Sequence, residues 1–260
     1  MNLFLVLFAL ALLCSALGFL KFVYFISLGY GLSVAAMGVA LLIHGQGHAM
    51  APCVLLVLYG LRLFGYLFIR EWKSANYRKL LAREIRDGKG MNPSLKIACW
   101  AACALLYVLM VSPVAFRVLS LPDADGYRIA GVFVMCVGMV LEALADAQKT
   151  AAKRRNPDRF VDTGLYRIVR CPNYFGEMLF WTGVFVSGIG AVHGVWQWVA
   201  VLTGYLGIIY VMFGGARRLE IRQNRSYGKD PEYQAYVKKT PIMIPLIPLY
   251  SVEKYKWLVA

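Results

Sequence analysis

The stretch APCVLLVLYGLRLFGYLFI, Ala51–Ile69, decides the fold. Nineteen residues carry a single charge, Arg62. An α-helix of about 20 apolar residues is the length that crosses a bilayer core. Working outward, comparable runs occupy Leu3–Leu20, Phe22–Ile43, Leu95–Phe116, Ile129–Leu144, Tyr174–Val192 and Val195–Gly215, with Ile129–Leu144 extending as a helix toward Lys153. Lys21 alone separates the first two, whose joint length is twice what one crossing needs. The N-terminal run Met1–Gly18 has no basic start and is followed at once by more apolar sequence, so it reads as a span rather than a signal peptide. Hydrophobic residues make up 60% of the chain and charged residues 16%, an apolar excess that a soluble core of this size could not bury. The expectation is an all-α polytopic membrane protein of about seven spans, with an N-terminal half, 1–128, and a C-terminal half, 129–260.

Charge sets the orientation. Basic residues crowd Arg70–Lys89 (Arg70, Lys73, Arg78, Lys79, Arg83, Arg86, Lys89), Lys149–Arg170 and the tail from Arg217. The alternate loops differ: His44–Met50 and the turn at His193 lack Lys and Arg, and Arg117–Arg128 offsets its two arginines with Asp123 and Asp125. Every basic segment falls on one side if the N-terminus is outside and the C-terminus cytoplasmic. The net charge of +14 then reflects topology and contact with anionic lipid. Short loops between spans argue against nucleic-acid binding. Cys14, Cys53, Cys99, Cys103, Cys136 and Cys171 show no metal-ligand spacing. His44, His48 and His193 lie in outer loops, Ser-His-Asp and Cys-His spacings are missing, and no G-x-G-x-x-G follows a strand.

Ionisable groups inside spans are costly and mark sites. Tyr59, Arg62 and Tyr66 share one helix face, which suits a phenol kept hydrogen-bonded beside a guanidinium; a snorkelling arginine is the bland alternative. Glu142 and Asp146 lie one turn apart, with Lys149 and Lys153 further along the same face. In DRFVDTGLYRIVRCPNYFGE, 158–177, Arg159, Arg167 and Arg170 offer forked donors suited to phosphate. Asn173 and Glu177 stand one turn apart behind Pro172, which suits a helix's first turn. Tyr233 and Tyr236 sit on a short polar helix. The segment bearing Pro241, Pro245 and Pro248 cannot be helical and reads as a lid or an interfacial anchor.

GLYRIVRCPNYFGE (164–177), the E-x-x-x-D of Glu142 and Asp146, and the tail PEYQAYVKKTPIMIP (231–245) resemble the C-terminal domain of the steroid 5α-reductase family and a related bacterial membrane family. Tyr59-x-x-Arg62 matches the family's earlier Tyr-x-x-Arg. The resemblance implies an NADPH-dependent oxidoreductase of the bacterial inner membrane or endoplasmic reticulum, with its site facing the cytoplasm. Its substrate would be a steroid-like lipid with a carbon–carbon double bond conjugated to a ketone. Tyr59 and Arg62 would be catalytic. Asn173 and Glu177 would lie at the nicotinamide end, Glu142 would replace a cofactor-touching asparagine, and Asp146 would match an aspartate. Arg159 would contact phosphates, with Arg70, Lys153, Arg167 and Tyr233 also at the cofactor. The family places a glutamate before the catalytic tyrosine, at the substrate's keto oxygen. Here no acidic residue precedes Glu71, and Gln46, Tyr24 and Tyr30 remain alternatives for that place. Isoprenylcysteine and phospholipid methyltransferases, which use S-adenosylmethionine, share part of the motif, but Cys171 stands where they carry histidine. A sterol-binding protein without catalysis is the third reading.

Overall fold

A computed structural model describes residues 2–73, 90–120 and 125–258. Arg78, Lys79, Arg83, Arg86, Lys89 and Asp123, which enter the charge argument, lie outside the described residues. Eight α-helices are described: α1 (Leu3–Ser15), α2 (Leu28–His44), α3 (Met50–Lys73), α4 (Pro93–Ser120), α5 (Gly126–Arg155), α6 (Pro172–Gly188), α7 (Val195–Tyr227) and α8 (Pro231–Lys239). No strand occurs among the described residues. Among the described residues, five segments are long and apolar enough to cross a membrane: Phe22–His44, Met50–Lys73, Pro93–Ser120, Gly126–Arg155 and Val195–Tyr227. Leu3–Phe19 is apolar but shorter, and α6 has 17 residues. Extended backbone at Lys21 (φ −142°) interrupts the helical path between the first two apolar runs, and α1 packs on α2.

Packing divides the chain into two units, Met1–Val132 with Val184–Tyr205, and Phe133–Gly183 with Leu206–Ala260. Packing therefore groups Val184–Tyr205 with the N-terminal unit, whereas a division by sequence follows the chain.

The first unit is built on helices that touch backbone to backbone. A Cβ on Gly60 of α3 would lie 2.6 Å from the Gly31 carbonyl oxygen of α2, and one on Gly31 would lie 2.9 Å from the Phe64 nitrogen. Lipid tails are as apolar as leucine, so dispersion at such close approaches drives helix association in a membrane. In α4, Pro113 cannot donate to the Leu109 carbonyl. The Ser112 hydroxyl donates to that oxygen instead, at 2.7 Å. Arg117, buried, donates from Nε to the Ser187 carbonyl (2.6 Å) and from Nη2 to Asp125 Oδ2 (2.7 Å). Burial pushes the Asp125 carboxyl up, but the Arg128 backbone N–H and the Arg117 guanidinium outweigh it and hold it below the usual carboxylate range.

In the second unit α5 and α6 cross in the same manner. A Cβ on Gly138 would lie 2.6 Å from the Gly176 carbonyl oxygen, and one on Gly176 would lie 2.6 Å from the Glu142 nitrogen. The tail folds back onto this unit. Arg170 N donates to the Pro241 carbonyl and Cys171 N to that of Ile242, each at 2.9 Å, ahead of the first turn of α6. Further along, Arg217 donates to the Glu253 carbonyl (3.0 Å), and Tyr210 donates to that of Trp257 (2.7 Å).

Candidate functional site

Tyr59, Arg62 and Arg70 belong to the first unit. The crossing at Gly31 and Gly60 carries a tyrosine beside each glycine, Tyr30 on α2 and Tyr59 on α3. Both tyrosines are buried, and their hydroxyls lie 3.3 Å apart, with either able to donate. The Tyr30 ring packs 5.2 Å from that of Tyr107. Tyr107 is held in turn by its hydroxyl, which donates to the Phe25 carbonyl at 2.5 Å. One turn along from Tyr59, Arg62 is half-buried. The Arg70 guanidinium lies 5.1 Å from the Tyr66 ring centroid, a cation–π distance. Next to it, Glu71 Oε1 accepts from Lys21 Nζ and from the Tyr24 hydroxyl, both at 2.5 Å. Glu71 and Tyr24 keep the Lys21 ammonium protonated well above the usual lysine range.

The other eight expected site residues belong to the second unit. Gly176 lets α6 approach the α5 backbone at Glu142 itself, and Asn173 and Glu177 lie on the same α6 segment as that glycine. Asp146 follows one turn along α5. All three carboxylates are buried. Asn173 Oδ1 is buried with no hydrogen-bond partner.

Of the remaining four, Lys153, Arg159 and Tyr233 lie around Phe160 and its neighbour Tyr227. Lys153 Nζ donates to the carbonyls of Pro157 (2.9 Å) and Arg159 (2.5 Å) and to the Tyr227 hydroxyl (2.9 Å), closing the loop after α5. Arg159 stacks 4.9 Å over Phe160 and bridges Glu232 (2.6 Å) and Asp162 (3.0 Å) at the surface. These acids, Glu232 first, hold its guanidinium more firmly protonated than usual. Tyr233, buried, packs against Phe160 and donates to Asn224 Oδ1 at 2.8 Å. Burial pushes its phenol up to about 12. Arg167 is exposed in the turn Gly164–Arg167. Gly164 in that turn has φ +61°, and the Leu165 N–H that follows donates to Gln148 Oε1 at 2.9 Å.

Three features escaped the sequence reading. Arg170, a candidate phosphate ligand by its sequence, is instead buried and bridges Glu220 at 2.8 Å. It also donates to the Tyr250 carbonyl, and Glu220 Oε2 accepts from Val252 N at 2.8 Å. The other two are the Tyr30–Tyr59 phenol pair and the Lys21–Tyr24–Glu71 cluster. Each joins residues far apart in the chain, and no local spacing signals it.

A family model described as "Protein of unknown function (DUF1295)" matches residues 17–240, most of the chain. A curated relative, "Steroid 5-alpha-reductase DET2" of Gossypium hirsutum, is 33% identical over 73 residues, which cover 27% of this chain and 26% of the relative. The match thus spans about a quarter of that relative's length. No solved structure matches.

Proposed function

We propose that the chain, which belongs to the DUF1295 family, a family tied to steroid 5-alpha-reductases, is a membrane oxidoreductase that reduces a carbon–carbon double bond conjugated to a ketone in a steroid-like lipid, using NADPH. In this reading the membrane is crossed seven times, with the C-terminus cytoplasmic. The similarity to a steroid 5-alpha-reductase supports an oxidoreductase, and the apolar helices suit a lipophilic substrate taken from the bilayer.

The observation that carries the cofactor reading is Asn173. A buried amide oxygen without a donor costs about 1–3 kcal/mol, and a ligand that donates to it removes that cost. A nicotinamide carboxamide is such a donor. Glu177, one turn along α6, and Glu142, against Gly176, supply acceptors for amide and ribose hydroxyl groups. Asp146 extends that row. We assign the phosphates to Arg159, with Lys153, Arg167 and Tyr233 supporting the nucleotide. Arg159 is exposed, so a phosphate can take the place of Glu232 and Asp162 on its guanidinium. When bound, the nicotinamide supplies a hydride. Tyr59, with Arg62 one turn away, donates a hydrogen bond and later a proton to the substrate oxygen on which negative charge develops; the enol so formed returns to the ketone, and solvent reprotonates Tyr59.

The test is NADPH consumption by the purified protein with a 3-oxo-Δ4 steroid. Turnover that Tyr59→Phe abolishes is the expected result, and full turnover by that variant overturns the role of Tyr59. NADPH should raise the thermal midpoint, because a ligand of the folded state stabilises it by mass action. A rise with S-adenosylmethionine and none with NADPH would instead point to a methyltransferase.

A further inference from the structure

We propose that the segment 250–258 is a membrane-interface anchor that binds the anionic headgroups of phospholipids. The segment is laid along α7 by bonds that run in one direction. Val252 N donates to Glu220 Oε2 at 2.8 Å, the Glu253 carbonyl accepts from Arg217 Nε at 3.0 Å, and the Trp257 carbonyl accepts from the Tyr210 hydroxyl at 2.7 Å. As the tail proceeds from 252 to 257, its partner on α7 retreats from 220 to 210. At the rise of an α-helix, Tyr210 lies about 10 Å from Arg217 along the axis.

That direction gives the tail its depth. α7 is long and apolar enough to cross a membrane, its apolar run ends at Gly215, and Arg217 and Arg218 follow at once. Basic residues at the end of a span sit at the headgroup level. Tyr210 is inside the apolar run, so Trp257 enters the leaflet below that level. Elements that lie in the interface penetrate to a similar depth, roughly 5–10 Å.

The chemistry of the segment suits this position. Trp257 is 66% exposed, yet its ring stacks on Tyr210 with centroids 6.2 Å apart and meets Tyr255 edge-on at 6.3 Å. Such rings collect at the bilayer interface, where an apolar body and a polar tip are both solvated. The N–H groups of Tyr255, Lys256 and Leu258 donate to carbonyls within the segment, as backbone leaving bulk water requires. Lys254 and Lys256 are exposed on either side of Tyr255, and Lys254 Nζ lies 5.1 Å over that ring. With Arg217 and Arg218 on α7 they outnumber the one carboxylate of the segment, Glu253, which accepts from Asn224 Nδ2 at 2.6 Å. Lysine stems lie along apolar surface and carry their charge out to the phosphates. The positive balance selects anionic over zwitterionic lipid.

The test uses the full chain in lipid nanodiscs of phosphatidylcholine, with or without phosphatidylglycerol. No steroid or nucleotide is added, so the outcome is independent of the reductase reading. Trp257 fluorescence is the difference between wild type and Trp257→Phe. Lipid carrying a spin-label quencher near the headgroup should quench it, and aqueous acrylamide should not. Amide hydrogen exchange across 250–258 should be about twentyfold slower with phosphatidylglycerol present, since each lysine near an anionic surface contributes roughly fivefold. Lys254→Gln/Lys256→Gln should lose most of that difference, and Lys254→Arg/Lys256→Arg should keep it. Quenching of Trp257 by acrylamide and not by labelled lipid puts the tail in water and overturns the anchor. Lipid quenching with wild-type exchange that ignores phosphatidylglycerol overturns the choice of anionic headgroups.

Discussion

Arg170 and Glu220 form an ion pair at 2.8 Å with both side chains buried, joining the segment before α6 to the end of α7. The two groups also bind the returning tail, Arg170 through the Tyr250 carbonyl and Glu220 through the Val252 N–H. Neither residue is free to serve a ligand without releasing that tail.

Breaking this pair should be costly and removing it whole should not. Arg170→Met leaves Glu220 a buried unpaired carboxylate, a loss of about 3–5 kcal/mol. The double variant Arg170→Met/Glu220→Leu removes both charges and should recover most of the loss. Thermal melts of the two variants check the energies. Proteolysis of the 245–258 tail, faster in the single variant, checks the clasp.

At the α2–α3 crossing, Gly60→Ala places a Cβ 2.6 Å from the Gly31 carbonyl oxygen and should destabilise by about 1–3 kcal/mol through overpacking. On the same helix a Cβ on Gly65 meets nothing within 4 Å. Gly65→Ala should therefore stabilise slightly, by up to about 1 kcal/mol, from helix propensity alone. Opposite signs in chemical denaturation separate a packing glycine from a permissive one. Gly60→Ala should also depress turnover, because it shifts the helix that carries Tyr59 and Arg62.

Asn173 offers a trade between stability and ligand. Asn173→Ala removes a buried oxygen that has no donor, so the unliganded variant should be as stable as wild type or more so. The rise in thermal midpoint on adding NADPH should shrink or vanish. A lower unliganded midpoint with the full NADPH shift retained would contradict the assignment of Asn173 to the cofactor.

Tyr233 makes alkaline stability pH-dependent with a definite sign. Burial raises its folded-state pKa to about 12, above the ordinary tyrosine value of 10.0. The unfolded chain therefore loses this proton first. The contribution is fully present below pH 10 and is lost as pH rises toward 12. Tyr233→Phe should flatten that part of the stability curve. Tyrosinate absorbance, followed with pH, should show one late-titrating phenol fewer in the variant.

Much of this architecture was legible locally. A run such as Ala51–Ile69 needs no partner to be read as a membrane-length helix, because each backbone group bonds within the segment. The break at Lys21 and the Pro172 start of α6 were likewise local signals. The acids were conspicuous because few polar groups surround them. Their partners were not, since Arg170 and Glu220 lie 50 residues apart and Tyr30 and Tyr59 lie 29 apart, with nothing at short range to connect them. Lys153 shows the converse. Its charge reads equally well as a topology signal or a cofactor ligand, and the loop it closes through two carbonyls has no signal in the local sequence.

The amino-acid order by itself determined that this chain is a set of apolar helices with basic residues clustered in alternate connections. Those properties follow from hydrogen bonds and charges that act within a few residues. Tertiary structure decided which faces meet, because a glycine specifies only that a neighbour can come close, and the partner helix supplies the neighbour. Gly31 with Gly60 brings two phenols together, and Gly138 with Gly176 brings the α5 backbone at Glu142 against α6.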